Sequence, residues 1–130
     1  MQTIVAIANK DIWEKSILTG KYLQSTLDTT LEEVGFIHCS FPYQTMEIVN
    51  RKFADRENLV LLLIDESKIK SPVKHEGALS GRAGIFPHIY GPLHTDAVYA
   101  VLPLTKDDKG NFITPLEFKK LESASGPEEM

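Results

Sequence analysis

Cysteine and long apolar runs are nearly absent from this sequence. Its 130 residues include one cysteine, Cys39, so an internal disulfide cannot form and nothing indicates an oxidising compartment. The longest apolar run, residues 59–64, is far too short to span a bilayer. The N-terminus lacks the basic start and long apolar segment of a signal peptide. We therefore expect a cytoplasmic protein with no membrane partner.

Clustered positive charge is also missing. The sequence has 14 lysines and arginines against 18 aspartates and glutamates, and the basic residues form no stripe. Neutralising the phosphates along a nucleic acid requires many clustered cations. The composition therefore argues against a large nucleic-acid footprint, whereas a nucleotide-sized ligand remains compatible with it.

Recognisable metal and phosphate motifs are absent as well. The histidines, at positions 38, 75, 88 and 94, lack the short paired spacings of zinc motifs. Residues 81–84 (Gly-Arg-Ala-Gly) lack the lysine and the strand–helix context of a phosphate-binding loop. We predict no bound metal, and we interpret Cys39 as a structural residue. His75 and His94 are interpreted as surface residues.

The residues that are present have the composition of an ordinary globular domain. Hydrophobic residues make up 42% of the chain and charged residues 25%, and the length suits one domain. We place that domain at residues 1–122. Residues 116–121 form a short amphipathic piece that is expected to pack loosely. Residues 123–130 are small, polar and acidic, which predicts a flexible tail.

The hydropathy pattern predicts more strands than helices. Short apolar runs, partly β-branched, predict strands at residues 3–8, 35–40, 59–65, 73–76 and 97–104. The third of these is apolar almost throughout, which is typical of a strand at the centre of a sheet. Strict alternation of strands and helices stops after it. An α+β domain is therefore predicted rather than a doubly wound sheet.

Two helices have recognisable boundaries. Asn9 is expected to cap the first helix and Gly20 to end it in a left-handed conformation. Trp13 and Ile17, four residues apart, are expected to share its buried face. Pro42 suits the first turn of a second helix, which is predicted to run to about residue 53.

Residues 35–40 (Gly-Phe-Ile-His-Cys-Ser) form the first segment with chemical potential. In an extended strand Phe36, His38 and Ser40 point to one face, while Ile37 and Cys39 point to the other. Imidazole titrates near neutral pH and can donate or accept a proton, and a neighbouring hydroxyl can orient a ligand. The alternative is a histidine satisfied by hydrogen bonds in a half-buried sheet, which is the commoner role of such residues.

Residues 86–93 (Phe-Pro-His-Ile-Tyr-Gly-Pro-Leu) form the second segment. Its prolines and glycine predict a rigid loop, from which His88 and Tyr90 project together while Ile89 anchors it in the core. The alternative is a purely structural turn. Because both segments are short and rigid, and each carries a histidine with a hydroxyl two positions later, we predict that His38 and His88 belong to one site.

Two further side chains complete the candidate site. Glu76, near the end of a short predicted strand, could orient a ribose hydroxyl or a histidine. Arg82, in a glycine-rich segment, could contact an anion. For both residues, simple exposure to solvent is the alternative interpretation.

Together these segments carry a resemblance to a known family. Residues 35–40 and 86–93, separated by a Leu-Val-Leu-Leu-Leu-Ile-Asp strand, resemble the signatures of domain-of-unknown-function family 952. The similarity covers about residues 3–104. It implies a small split-sheet domain similar to the ADP-ribosyltransferase and RNA 2′-phosphotransferase fold, in which a cleft holds NAD. Members typically carry Tyr-His where this chain has Val5-Ala6, and in the transferases a polar residue there helps to grip NAD.

The leading hypothesis is a small-molecule site for a nucleotide or an NAD-derived ligand, in a transferase or hydrolase. His38 and His88 would act as acid–base or hydrogen-bonding groups and Glu76 as the candidate carboxylate. Ser40, Tyr90 and Arg82 would bind and orient the ligand, and NAD is the cofactor that the resemblance implies. The replacement of the first-strand polar residue favours a second hypothesis, a non-catalytic binding module. A third, a structural interaction protein, predicts that these side chains are buried and mutually satisfied.

Overall fold

A computed structural model of the protein describes residues 1–124. Its strands are β1 (Thr3–Asn9), β2 (Lys21–Tyr22), β3 (Ile37–His38), β4 (Leu59–Asp65), β5 (Val73–Gly77), β6 (Ile85–Ile89), β7 (Leu93–His94) and β8 (Val98–Pro103). Its α-helices are α1 (Lys10–Thr19), α2 (Leu31–Val34), α3 (Pro42–Lys52) and α4 (Leu116–Ala124), and short 3₁₀ turns cover Glu66–Lys68 and Thr95–Ala97. Within the described residues the strands form three small antiparallel sheets. The α+β prediction is therefore confirmed.

The largest sheet has the order β1-β4-β8, so β4 is its centre, as predicted. Residues 59–64 of β4 are all buried because the strand is paired on both edges and covered on both faces. Successive side chains point to opposite faces. Val60, Leu62 and Ile64 accordingly join one core cluster, whereas Leu61 and Leu63 join a second.

The caps predicted for α1 are confirmed. The Asn9 side chain accepts a hydrogen bond from the Ile12 amide at 3.1 Å, and Gly20 ends the helix with a φ of +82°. The prediction that Trp13 and Ile17 share a buried face is wrong, since Trp13 is buried but Ile17 is 53% exposed. The second buried residue of α1 is Ser16, whose hydroxyl bonds the Ile12 carbonyl, and Ile17 lies beyond that face.

Helix α3 begins at Pro42 and ends just before Phe53, as predicted. The prediction of loose packing near the C-terminus is wrong. Phe118 of α4 is fully buried and joins the second core cluster together with Val49 of α3. Helix α4 continues to Ala124, so it includes the first two residues of the predicted tail, and the remainder lies outside the described residues.

The predicted strand at residues 35–40 is divided between two sheets. Only Ile37–His38 pairs with β6, in a sheet of order β3-β6-β5. The Cys39 amide donates to the Pro87 carbonyl at 3.1 Å, and Ser40 then exchanges two backbone hydrogen bonds with Val5 of β1. The chain crosses here from the β3-β6-β5 sheet to the β1-β4-β8 sheet, which explains why the regular strand β3 is short.

Several smaller strand boundaries also differ from the sequence prediction by one residue. Strand β5 extends to Gly77, one residue further than expected, and β8 begins at Val98 because a 3₁₀ turn occupies the preceding residues. The described part of the chain contains no helix with the length and apolar character needed to cross a membrane.

Candidate functional site

The two histidines singled out from the sequence are neighbours in the structure. His38 on β3 pairs directly with His88 on β6, and their ring centroids are 5.5 Å apart. Residues facing each other on antiparallel strands project to the same side of the sheet, which accounts for this proximity. The structure therefore brings together the two segments that the sequence only suggested were related.

Each imidazole is held through its Nδ1 atom. The His38 Nδ1 lies 3.0 Å from the Ser25 hydroxyl, and the His88 Nδ1 lies 2.7 Å from the Glu76 carboxylate. An ionised carboxylate can only accept, so His88 donates its Nδ1 proton to Glu76. Neither Nε2 atom has a hydrogen-bond partner among residues 1–124, and Nε2 is thus the atom that each ring can offer to a ligand.

Glu76 is held by two donors at once. Its Oε2 accepts hydrogen bonds from the Tyr90 hydroxyl and from His88. These bonds, that of Tyr90 first, lower the pKa of Glu76, and the carboxylate in turn raises the pKa of Tyr90. The Lys74 ammonium lies 4.8 Å from the centre of the Tyr90 ring. Glu76 is therefore an ionised group that fixes the orientation of His88.

Phe36 packs against this group of rings. Its side chain stacks on His88 with centroids 4.1 Å apart and planes inclined by 22°. The ring also lies 4.6 Å from His38 and 5.2 Å from Tyr90. The sequence placed Phe36 on the same face as His38 but did not identify it as a support. The alternation of Phe36 and His38 within the strand predicted at residues 35–40 was the available signal.

A cleft of about 370 Å³ opens beside the two histidines. His38, Ser40 and His88 line it, whereas Glu76 and Tyr90 are not among its lining residues within the described chain. The rest of its lining comes from Val5 and Ile7 of β1, residues 25–27, Cys39, residues 48 and 51–53 in and just after α3, residues 78–80, Arg82 and Phe86. We call this space the cleft. The predicted site residues thus fall into two groups. His38, Ser40, Arg82 and His88 line the cleft, whereas Glu76 and Tyr90 support His88 from outside the lining.

Basic side chains line the cleft, but acidic ones do not. Arg51, Lys52 and Arg82 contribute positive charge, and no aspartate or glutamate occurs among the lining residues of the described chain. Glu47 is not among the lining residues of the described chain, and it accepts hydrogen bonds from Arg51 Nε at 2.8 Å and from Arg82 Nη2 at 2.9 Å. Arg82, predicted to contact an anion, is therefore joined to α3 at the border of the cleft.

The electrostatic surroundings of His38 favour its neutral form. Burial lowers the pKa of His38 and the charge of His88 lowers it further. A hydrogen bond to the Ser25 backbone raises this pKa, and the charge of Lys52 lowers it, so that the net shift is downward. An ordinary histidine has a pKa of about 6.5. His38 is therefore uncharged at neutral pH and can accept a proton.

Ser40 lines the cleft, but its hydroxyl proton is already engaged. The Thr45 hydroxyl donates to the Phe41 carbonyl at 3.0 Å, so the 2.7 Å contact between Ser40 and Thr45 must use the proton of Ser40. Ser40 therefore retains only acceptor capacity for a ligand. Cys39 is buried, and burial raises the pKa of its thiol, which keeps it protonated.

The remaining histidines lie outside the cleft. His75 is exposed, as predicted, and bonds Glu66 at 2.9 Å. His94 is only half-buried rather than fully exposed, because its strand pairs with β2, and its buried Nδ1 has no partner within residues 1–124. In the described part of the chain no three His, Cys, Asp or Glu side chains are grouped to hold a metal ion.

Ser25 and the basic residues of α3 are the site members that the sequence analysis missed. Ser25 lies in a polar stretch without periodicity, so no sequence signal indicated that it would contact His38. Glu47 and Arg51 are four residues apart on a helix, a spacing that does predict an ion pair.

Comparison with known proteins places the chain in a family. The family described as "Protein of unknown function (DUF952)" matches residues 7–101. The crystal structure of protein CC0527 from Caulobacter crescentus is similar, with a TM-score of 0.75 and 28% identity, covering 90% of this chain and 98% of that one. The solution structure of the same protein gives a TM-score of 0.69 over 85% of this chain and 91% of that one. No curated protein matches the chain.

Proposed function

We propose a function from the premise that this chain belongs to the family of proteins of unknown function DUF952. In this proposal, the cleft of this chain binds a nucleotide or a related phosphate-bearing small molecule, and His38 and His88 perform acid–base chemistry on that ligand. One observation carries the proposal. Two paired imidazoles line one cleft, each held at Nδ1 and each with Nε2 lacking a partner among residues 1–124.

This arrangement differs from that of a purely structural histidine pair. His88 is 2% exposed, and buried polar atoms are normally satisfied within the protein. A structural pair would use both nitrogens of each ring, or turn the rings towards each other. Here the Nδ1 bonds orient the rings while Nε2 stays available, which is the usual arrangement of a histidine that transfers protons.

The lining of the cleft suits a nucleotide. Small-molecule sites are typically about 300–1,000 Å³ in volume and mostly apolar, with a few polar groups that orient the ligand. Leu27, Phe53 and Leu79 offer apolar surface for a base, while Arg51 and Arg82 offer guanidinium groups that match phosphate geometry. Both kinds of surface border the same space.

The separation of the strands into one larger sheet and two smaller ones supports the proposed similarity to the ADP-ribosyltransferase fold, and NAD is therefore one candidate ligand. The apolar character of strand β1 argues against binding of NAD in the manner of the transferases. Val5 and Ile7 line it, whereas Ala6 points into the opposite core cluster. An apolar first strand cannot grip NAD as the transferases do. The hydrolase hypothesis is thus favoured over transfer of ADP-ribose.

The same apolar strand supports the second candidate, a non-catalytic binding module. In that case the cleft would bind the nucleotide, but the two histidines would only contribute hydrogen bonds. Ligand binding alone cannot separate these candidates. Turnover can, because only the enzyme would convert the nucleotide.

Binding is tested by thermal unfolding in the presence of AMP, ADP-ribose, NAD and inorganic phosphate. A ligand at a hundredfold its Kd should stabilise the fold by about 2.7 kcal/mol, which raises the Tm by roughly 10 °C for a domain of this size. His38→Ala should abolish most of the shift. His75→Ala is the matched control, because His75 is exposed and outside the cleft. The proposal fails if no phosphate-bearing ligand raises the Tm, or if both variants respond like the parent protein.

A further inference from the structure

The two imidazoles of the cleft have different partners, and this difference divides their roles. The Nδ1 of His38 contacts a neutral hydroxyl, that of Ser25, whereas the Nδ1 of His88 bonds the carboxylate of Glu76. A carboxylate in this position balances the charge of an imidazolium ring, and a hydroxyl does not. His38, with Lys52 near it, is thus suited to receive a proton, and His88 to deliver one.

The charge of the lining indicates the kind of transition state that the cleft would stabilise. Ribosyl transfer develops positive charge at a sugar carbon, which the three basic side chains would disfavour. No lining residue of the described chain carries a carboxylate to offset that charge. Reaction at phosphorus develops negative charge on oxygen, which arginine and lysine stabilise. The reacting centre that fits this lining is a phosphorus atom.

A general base and a general acid are both useful only when the attacking group is a weak nucleophile and the departing group is a poor leaving group. Hydrolysis of a phosphate monoester has a loose transition state in which the attacking water needs little activation. In a diester of an ordinary alcohol, water must lose a proton as it attacks, and the leaving alkoxide must gain one. A pair of histidines of which one is bonded to a hydroxyl and the other to a carboxylate matches the diester.

We propose that the cleft hydrolyses a phosphodiester of a small nucleotide, with His38 as the general base and His88 as the general acid. This inference rests on the proposed function. The Nε2 of His38 takes a proton from water while the water oxygen forms a bond to phosphorus. The bond from phosphorus to the ester oxygen breaks, and that oxygen takes the Nε2 proton of His88. One water is consumed, a phosphomonoester and an alcohol are formed, and proton exchange with solvent restores both rings.

Glu76 is a positioning residue in this scheme. It is not among the lining residues of the described chain, so it would act through His88 by holding its Nδ1 proton. Tyr90 holds Glu76 in place. Loss of the carboxylate charge should therefore weaken the acid step without removing the base.

The test compares two esters that differ in their need for an acid. Adenosine 2′,3′-cyclic phosphate releases an alkoxide, whereas the 4-nitrophenyl ester of thymidine 5′-monophosphate releases a stable phenolate. His88→Gln should lower the rate with the cyclic phosphate at least about 100-fold and the rate with the nitrophenyl ester less than about 10-fold. His38→Ala should lower both rates at least about 100-fold, and His75→Ala should change neither. Equal losses on both esters in His88→Gln would overturn its role as the acid.

A second variant keeps the test valid if His88→Gln does not fold. Glu76→Gln preserves a hydrogen-bond acceptor but removes the charge, and it should selectively slow hydrolysis of the cyclic phosphate. For the parent protein, the rate should rise with pH through the pKa of His38, below the ordinary value of about 6.5. This limb should vanish in His38→Ala.

The outcomes separate this inference from the proposed function. Nucleotide binding without turnover of either ester overturns the reaction but leaves nucleotide binding standing. Release of nicotinamide from NAD, with both esters intact, also overturns it and supports ribosyl chemistry instead. Absence of binding to any phosphate-bearing probe overturns both proposals. Selective loss of cyclic-phosphate hydrolysis in His88→Gln and in Glu76→Gln supports the assignment.

Discussion

Removal of the Glu47 charge should strengthen the binding of a phosphate-bearing ligand. Glu47 accepts hydrogen bonds from Arg51 and from Arg82, so it competes with a ligand for both guanidinium groups. Glu47→Gln removes the negative charge and keeps the size of the side chain. The two arginines then become available to an anion in the cleft.

The magnitude follows from the geometry. A phosphate bound on the far side of the guanidinium groups would lie about 6 Å from the Glu47 carboxylate, so their repulsion is about 0.7 kcal/mol in bulk water and about 2.8 kcal/mol at an effective dielectric constant of 20. All three side chains are more than a third exposed, which favours the lower value. We expect the Kd for AMP to fall by roughly 3- to 10-fold at low ionic strength, and the gain to shrink as salt is added.

The cost to the fold should be small. Exposed ion pairs contribute about 0.2–1 kcal/mol each, so Glu47→Gln should lower the free energy of unfolding by no more than about 1–2 kcal/mol. Isothermal titration calorimetry with AMP measures the Kd, and urea unfolding measures the stability. Glu57→Gln is the matched control, since Glu57 also forms an exposed ion pair, with Lys106, but does not line the cleft. A Kd that is unchanged or higher in Glu47→Gln would refute this account of the cleft.

Three further predictions concern the core and the support of the site. Phe118→Ala should lower the free energy of unfolding by about 3–5 kcal/mol in urea titrations, whereas Leu116→Ala, at a site 78% exposed, should change it by less than about 0.5 kcal/mol. Cys39 should resist thiol reagents at pH 8 in the folded protein and react after denaturation, because burial raises its pKa; rapid labelling of the native protein would contradict this. The pKa of Glu76 is lowered in the folded protein, so its contribution to stability is present above the ordinary glutamate pKa of about 4.3 and is lost as the pH falls through the lower folded value. Glu76→Gln should therefore reduce the dependence of the free energy of unfolding on pH in this acid range. Equal slopes for the variant and the parent protein would be inconsistent with this prediction.

Local signals in the sequence predicted much of the fold. The caps at Asn9 and Gly20, the start of α3 at Pro42 and the central position of β4 all depend on short stretches of chain. Each follows from the conformational preference of one residue or from a continuous apolar run. These features need no knowledge of distant contacts.

The site could be predicted only in part, because it depends on pairing between distant segments. The repeated arrangement of a histidine and a hydroxyl suggested His38 and His88, but the register that pairs them is set by β3 and β6. Ser25 contacts His38 from an irregular stretch, and Arg82 reaches an acidic residue 35 positions earlier. Such contacts arise from the tertiary fold, and no periodicity encodes them.

The stacking of Phe36 on His88 has a consequence for the motion of the histidine ring. A half-turn of that ring about its Cβ–Cγ bond would put Cδ2 in the place of Nδ1 and Cε1 in the place of Nε2. It would therefore break the bond to Glu76, and the ring would leave its 4.1 Å contact with Phe36 as it turned. The ring is therefore confined to one rotational state. In the reaction proposed above, proton delivery from a ring confined in this way would need almost no reorganisation of the protein.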